Sequence, residues 1–181
     1  MCLRGYRNTR YNNHGGTEDT EVAQRYQTRA LPKGEMLKSP EILVPVDFSP
    51  CSVNALRVAI GMAAPDGDLT LLHVVDEDFV RDAVAAGMGT TDDLRSRLKE
   101  QAEASFANVM EGLEVGQVDI EKMIVVGVPF VEILKIARDL DLPMIVMGIQ
   151  GRSTPAEELL FGSTAEKVLR GTRVPVLCVP L

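Results

Sequence analysis

EILVPVDFSP, residues 41–50, decides how the rest of the chain is read. Ile42, Leu43 and Val44 are apolar at consecutive positions rather than alternate ones. That is the pattern of a strand buried on both faces, as in a parallel sheet. Pro45 marks the strand's end, because proline has no N–H to give a central ladder. Ser49-Pro50 then reads as an N-cap followed by proline at the first helical position. The ten residues therefore describe a strand, a turn bearing Asp47, and the start of a helix. Ala55, Leu56, Val58, Ala59, Ile60, Met62 and Ala63 supply that helix with a broad apolar face, and Pro65-Asp66-Gly67 stops it.

Downstream the cycle repeats. Leu69 to Val75 (LTLLHVV) reads as a second strand. Asp76 to Asp93 is acidic and contains glycines, and no period emerges from it. Leu94, Leu98, Ala102, Phe106 and Val109 fall at helical spacing and predict a helix over about 92–112. Val118 to Val126 predicts a third strand closed by Gly127. Phe130, Ile133, Leu134 and Ala137 predict a helix opened by Pro129. Met144 to Met147 predicts a fourth strand. Ala165, Val168 and Leu169 suggest a last helix, and Val174 to Val179 a last strand. Five strands alternating with four helical segments imply an α/β fold. The expected form is a doubly wound five-stranded parallel sheet flanked by helices on both faces. Ligands of such sheets sit beyond the carboxyl ends of the strands. Asp47, residues 74–78, residues 127–129 and Gly148 onward are therefore the places to look for chemistry.

Upstream, residues 1–40 are polar and basic. NNHGG at 12–16 breaks any regular element, and a short helix is expected at most between Thr17 and Ala30. The chain thus divides into a partly disordered extension, 1–40, and one domain, 41–181. The extension holds seven Lys and Arg against four acids, so its charge is +3. With −7 for the whole chain, the domain carries −10. So acidic a domain repels phosphate backbones, which argues against nucleic acid as a partner. The basic extension is either a solvated tail or the contact for an unidentified protein.

Composition narrows the class further. The chain has 181 residues, 45% apolar and 25% charged, which are ordinary globular values. It has no Trp, so the core must be built from aliphatic residues and Met. No apolar run approaches the ~18 residues of a membrane span, and MCLRGYRNTR lacks a signal-peptide core. Cys2, Cys51 and Cys178 are too scattered for a disulfide framework or a zinc site, and only two histidines are present. A cytoplasmic protein without a structural metal is expected.

The richest segment follows the fourth strand. Gly148-Ile149-Gln150-Gly151 lets the backbone turn sharply and approach a ligand. Thr154 with Glu157 forms a capping box around Pro155, opening a short helix that should end at Gly162. Ser163 with Glu166 reads as a second capping box, opening the last helix. Helix N-termini offer N–H groups and partial positive charge, which suit phosphates. The same pattern also fits two turns and two caps with no ligand. Cys51, in a helix's first turn, and His73, in a buried strand, read as structural. Asp76, Glu77 and Asp78 read as a solvated loop or as the neighbours of a metal ion carried on phosphates. No GxxxxGK[ST], GxSxG or HExxH motif occurs, and no catalytic residue is assigned.

Four blocks together resemble the universal stress protein family. They are ILVPVDFSP (42–50), LTLLHVVD (69–76), IVVGVPFVEILKIARD (124–139) and MGIQGRS with LLFGSTAEKVLRGTRVPVLCVP (147–153, 159–180). The resemblance covers about 140 residues and implies a fold like that of the adenine nucleotide alpha hydrolases. It also implies ATP, AMP or ADP as the ligand, with Mg2+ on the phosphates, slow hydrolysis at most, and a homodimer joined through residues 175–179. The implied binding set is Pro45, Val46, Asp47, Val74, Gly127, Met147, Gly148, Gly151, Arg152, Gly162, Ser163 and Thr164. Asp47 would hold the ribose hydroxyls and the Val74 backbone would meet adenine. Nucleotide binders of the family resemble the pattern Gly, two residues, Gly, nine residues, Gly-Ser/Thr. Here ten residues, 152–161, separate Gly151 from Gly162. A dimeric interaction module without nucleotide is the alternative.

Overall fold

The structure is a computed structural model, and it describes residues 41–151 and 161–181. Five strands form one sheet: β1 Glu41–Pro45, β2 Asp68–Asp76, β3 Asp119–Gly127, β4 Met144–Gly148 and β5 Val176–Val179. Their order is β3-β2-β1-β4-β5 and every pairing is parallel. The chain steps outward from β1 to β3, then crosses to the other side of β1 for β4 and β5. The reversal lies between β1 and β4, where sheets of this kind open a crevice at their carboxyl edge.

Burial explains the unbroken apolar runs. Ile42 and Val44 face one layer, with Leu69, Leu71 and Val146. Leu43 faces the other, with Leu72 and Ile145. The first layer is closed by α1 (Pro50–Ala63), through Ala55, Leu56 and Ala59, and by the fully buried Phe106 of α3 (Thr91–Glu111). The second is closed by α4 (Pro129–Asp139), through Ile133, Ile136 and Ala137, and by α5 (Ser163–Gly171), through Ala165 and Val168.

α1 begins as expected. Ser49 caps it, its Oγ accepting from Ser52 N at 3.2 Å, and Pro50 takes the first helical position. Two expectations need correction. The unread stretch after β2 holds a further helix, α2 (Glu77–Ala85), so the described residues contain five helices rather than four. Asp76 caps it by accepting from Asp78 N at 2.9 Å, and Val80 and Ala83 are its buried side chains. Two buried residues give too thin a stripe to read as a period. The second correction is at α5. Gly162, not Ser163, is its N-cap, and no side chain caps it. Glu166 pairs instead with Arg170 at 2.7 Å, one turn on, so the second capping box does not form. Gly162 has φ −69° and ψ 154°, an extended backbone open to any residue, so it is not a left-handed helix end. The first capping box, the short helix and the extension's helix lie outside the described residues. β5 is an edge strand, next to β4.

Candidate nucleotide cleft

The site begins where β1 stops. Val46 N donates to Leu72 O at 2.8 Å, carrying the ladder one residue past Pro45. The chain then turns on Phe48, whose φ of +62° is rare for a bulky side chain and costs backbone strain. Aromatic packing holds it there: the ring lies 4.7 Å from His73 and 5.0 Å from Phe106, nearly perpendicular to the latter. His73 Nδ1 donates to Val46 O at 2.7 Å; a carbonyl only accepts, so this nitrogen carries the proton. Strand end, turn and core aromatics are thus locked together.

Asp47 projects from this turn. Its Oδ1 accepts from Ser49 N at 3.0 Å and from Ser49 Oγ at 2.5 Å, so it is a turn acceptor. Its Oδ2 lies on the side of Gly151, 2.8 Å from where a Cβ on that glycine would stand. Gly148 is equally constrained. A Cβ there would come within 2.8 Å of the Cys51 and Ser52 backbone, so β4 ends directly on the first turn of α1. Beyond it, Ile149 N donates to Val179 O at 2.9 Å and Ile149 O accepts from Gly162 N at 2.8 Å. Ile149 thus holds Gly162 beside the end of β4. It also brings the N-terminus of α5 to the carboxyl edge of the sheet, with the first-turn N–H groups that no helix satisfies internally.

These parts enclose one cleft of about 600 Å³, within the ordinary range for small-molecule sites. Pro45, Val46, Asp47, Val74, Met147, Gly148, Gly151, Gly162, Ser163 and Thr164 of the expected set all line it. Gly127 does not. It closes β3 opposite Asp76, and a Cβ there would meet the Glu132 side chain at 2.8 Å, so its smallness serves packing on α4. Arg152 lies outside the described residues. Sequence reasoning missed the opposite wall: Phe48, His73, Phe79, Gln101 and Ser105 also line the cleft. Phe79 sits on the unread α2. Gln101 neighbours the buried Ala102 on a helix that was read, but spacing alone does not tell which turn of α3 reaches the sheet's carboxyl edge.

Asp76, Glu77 and Asp78 are the start of α2, not a loop. Asp76 caps, Glu77 pairs with Arg95, and Asp78 pairs with Arg81 at 2.7 Å. Among the described residues, no group of three or more His, Cys, Asp or Glu is placed to hold a metal ion, and no helix is long and apolar enough to cross a membrane. Cys51 is buried against Gly148. Partial burial pushes the Cys178 thiol above its ordinary pKa, which disfavours the reactive thiolate.

Residues 39–180 match the universal stress protein family. The chain belongs to that family. Among its relatives is Universal stress protein MJ0577 of Methanocaldococcus jannaschii, 34% identical over 152 residues that span 77% of this chain and 93% of the relative. Universal stress protein MJ0531 of the same organism is 33% identical over 141 residues, spanning 77% and 81%. The solved structure of MJ0577 superposes with a TM-score of 0.69 at 32% identity, covering 78% of this chain and 96% of that one. The universal stress fold therefore accounts for the described sheet and its helices, and β1, β4 and α5, with their flanking residues, carry most of the expected cleft residues.

Proposed function

We propose that this universal stress protein is a cytoplasmic regulator that binds ATP or a related adenine nucleotide, as a homodimer, with at most slow hydrolysis. One observation carries the reading: a carboxylate held at the end of β1 and the open N-terminus of α5 face the same cleft at the switch point of the sheet. Asp47 suits the vicinal hydroxyls of a ribose, since a carboxylate accepts from two donors. Gly151, Gly162, Ser163 and Thr164 suit the phosphates through backbone N–H groups, the Ser163 hydroxyl and the positive end of α5. No Lys or Arg lines the cleft among the described residues, while Asp47 and Asp76 do. Mg2+ on the phosphates would offset that negative charge. His73 and Asp47 are both engaged in holding the β1 turn, and neither is set up as a general base for rapid hydrolysis.

The rival reading, an interaction module without nucleotide, draws on a specific fact. Gly148 and Gly151 are each accounted for by contacts within the protein, on α1 and on Asp47. Calorimetry separates the two. ATP titrated into the purified protein should bind, and Asp47→Ala should weaken adenosine and ATP alike. No heat of binding, with no nucleotide released from the boiled protein, would leave the interaction module standing.

A further inference from the structure

The cleft crosses the carboxyl edge of the sheet and so has two walls. Gly162, Ser163, Thr164, Ala165 and Ile133 form the wall on the α4–α5 side. Phe48, Phe79, Leu98, Gln101, Ala102 and Ser105 form the wall on the α2–α3 side. Asp47 stands between them, next in sequence to Phe48 and within contact of Gly151. A nucleotide is built the same way. Its phosphates and its base leave the ribose from opposite ends of the sugar ring. With the ribose at Asp47 and the phosphates at α5, the base is directed to the α2–α3 wall.

That wall is mostly apolar and offers few hydrogen-bonding groups. The Ser105 hydroxyl is turned to its own helix, donating to Gln101 O at 2.8 Å, and His73 Nδ1 is turned to Val46 O. No hydrogen bond reaches the Gln101 side-chain amide from the described residues. An amide presents one donor and one acceptor side by side, which matches the amino group and adjacent ring nitrogen of adenine. The O6 and N7 edge of guanine, two adjacent acceptors, calls for Arg or Lys instead, and neither lines the cleft among the described residues. Phe79 is 56% exposed although it borders the cleft, an aromatic face left open.

We infer that α2 and α3 supply base recognition: Phe79 provides a stacking face for any base, and the Gln101 amide selects adenine by its 6-amino group and neighbouring ring nitrogen. The inference rests on the nucleotide reading above. In this arrangement neither residue is assigned to the sugar or the phosphates.

The two roles give different signatures in calorimetry with ATP and with purine riboside triphosphate, which lacks the 6-amino group. The unaltered protein should prefer ATP by roughly tenfold, the worth of one good base contact. Gln101→Leu should abolish that preference while the weaker ligand binds as before. Phe79→Ala should weaken both ligands by a similar factor, because stacking does not depend on the exocyclic group, and should leave their ratio intact. Unchanged melting temperatures show that both exposed substitutions spare the fold. If ATP binds and Gln101→Leu keeps the tenfold preference, base selection by α3 is wrong and the nucleotide reading stands. If neither ligand binds the unaltered protein, both fall together.

Discussion

At the scale of the residue, the two glycines of the Gly148–Gly151 turn look interchangeable in sequence and differ in what they touch. Gly148 lies against the main chain of Cys51 and Ser52, which has nowhere to go. Gly148→Ala should therefore cost stability, about 1–3 kcal/mol as for other overpacked sites, and should appear as a lowered melting temperature. Among the described residues a Cβ on Gly151 would meet the Asp47 carboxylate, the far end of a side chain rather than main chain. Gly151→Ala should leave the melting temperature within a degree or two and instead weaken ATP, by displacing the carboxylate assigned to the ribose. Equal losses of stability from the two would refute this division. Phe48 could not be read from the sequence at all. Its φ of +62° goes against its side chain's local preference and survives because His73 and Phe106, 25 and 58 positions away, hold the ring.

Elements were legible in proportion to how much of their surface is buried. β1, β2 and β4, covered on both faces, announce themselves as unbroken apolar runs. α1 is announced by Ser49 and Pro50, local signals that need no partner. α2 was hidden because it buries little more than Val80 and Ala83 and begins with three acids, which serve as its cap and first-turn charges. The start of α5 was displaced by one residue because Glu166 had two uses open to it. Sequence spacing cannot decide between reaching back to the cap and pairing with Arg170. The cleft's glycine-bearing wall was read and its α2–α3 wall was not, for the same reason: turn chemistry is local, whereas the wall exists only once α2 and α3 pack over β2. The ten residues between Gly151 and Gly162 give a test at this scale. Deleting Ser153 restores the nine-residue spacing at little cost in loop entropy. If the added residue crowds the phosphate path, ATP should bind several-fold tighter to the deletion variant. Unaltered affinity in calorimetry would show that the longer segment is accommodated.

For the molecule as a whole, the open question is its edge. Among the described residues β5 pairs only with β4, which leaves its other side without a strand partner beside Leu177, which is 37% exposed. An apolar edge strand is an aggregation hazard unless covered, and a second copy placed by a two-fold axis would cover it. Leu177→Lys should convert the proposed dimer to monomer or precipitate, as sedimentation would read, and a soluble dimer of unchanged weight would rule out this interface. That edge is also wired to the cleft. The Ile149 N–H donates to Val179 O and its carbonyl accepts from Gly162 N, so one residue, through the two peptide groups that flank it, joins the end of β5 to the cap of α5. A shift of Ile149 from either side disturbs both bonds. With the proposed dimer at this edge and the proposed nucleotide in the cleft, subunit association and ligand occupancy would form one thermodynamic cycle. Whatever factor a bound nucleotide applies to self-association, self-association must return to the nucleotide, and the dissociation constant for ATP becomes a function of how concentrated the protein is.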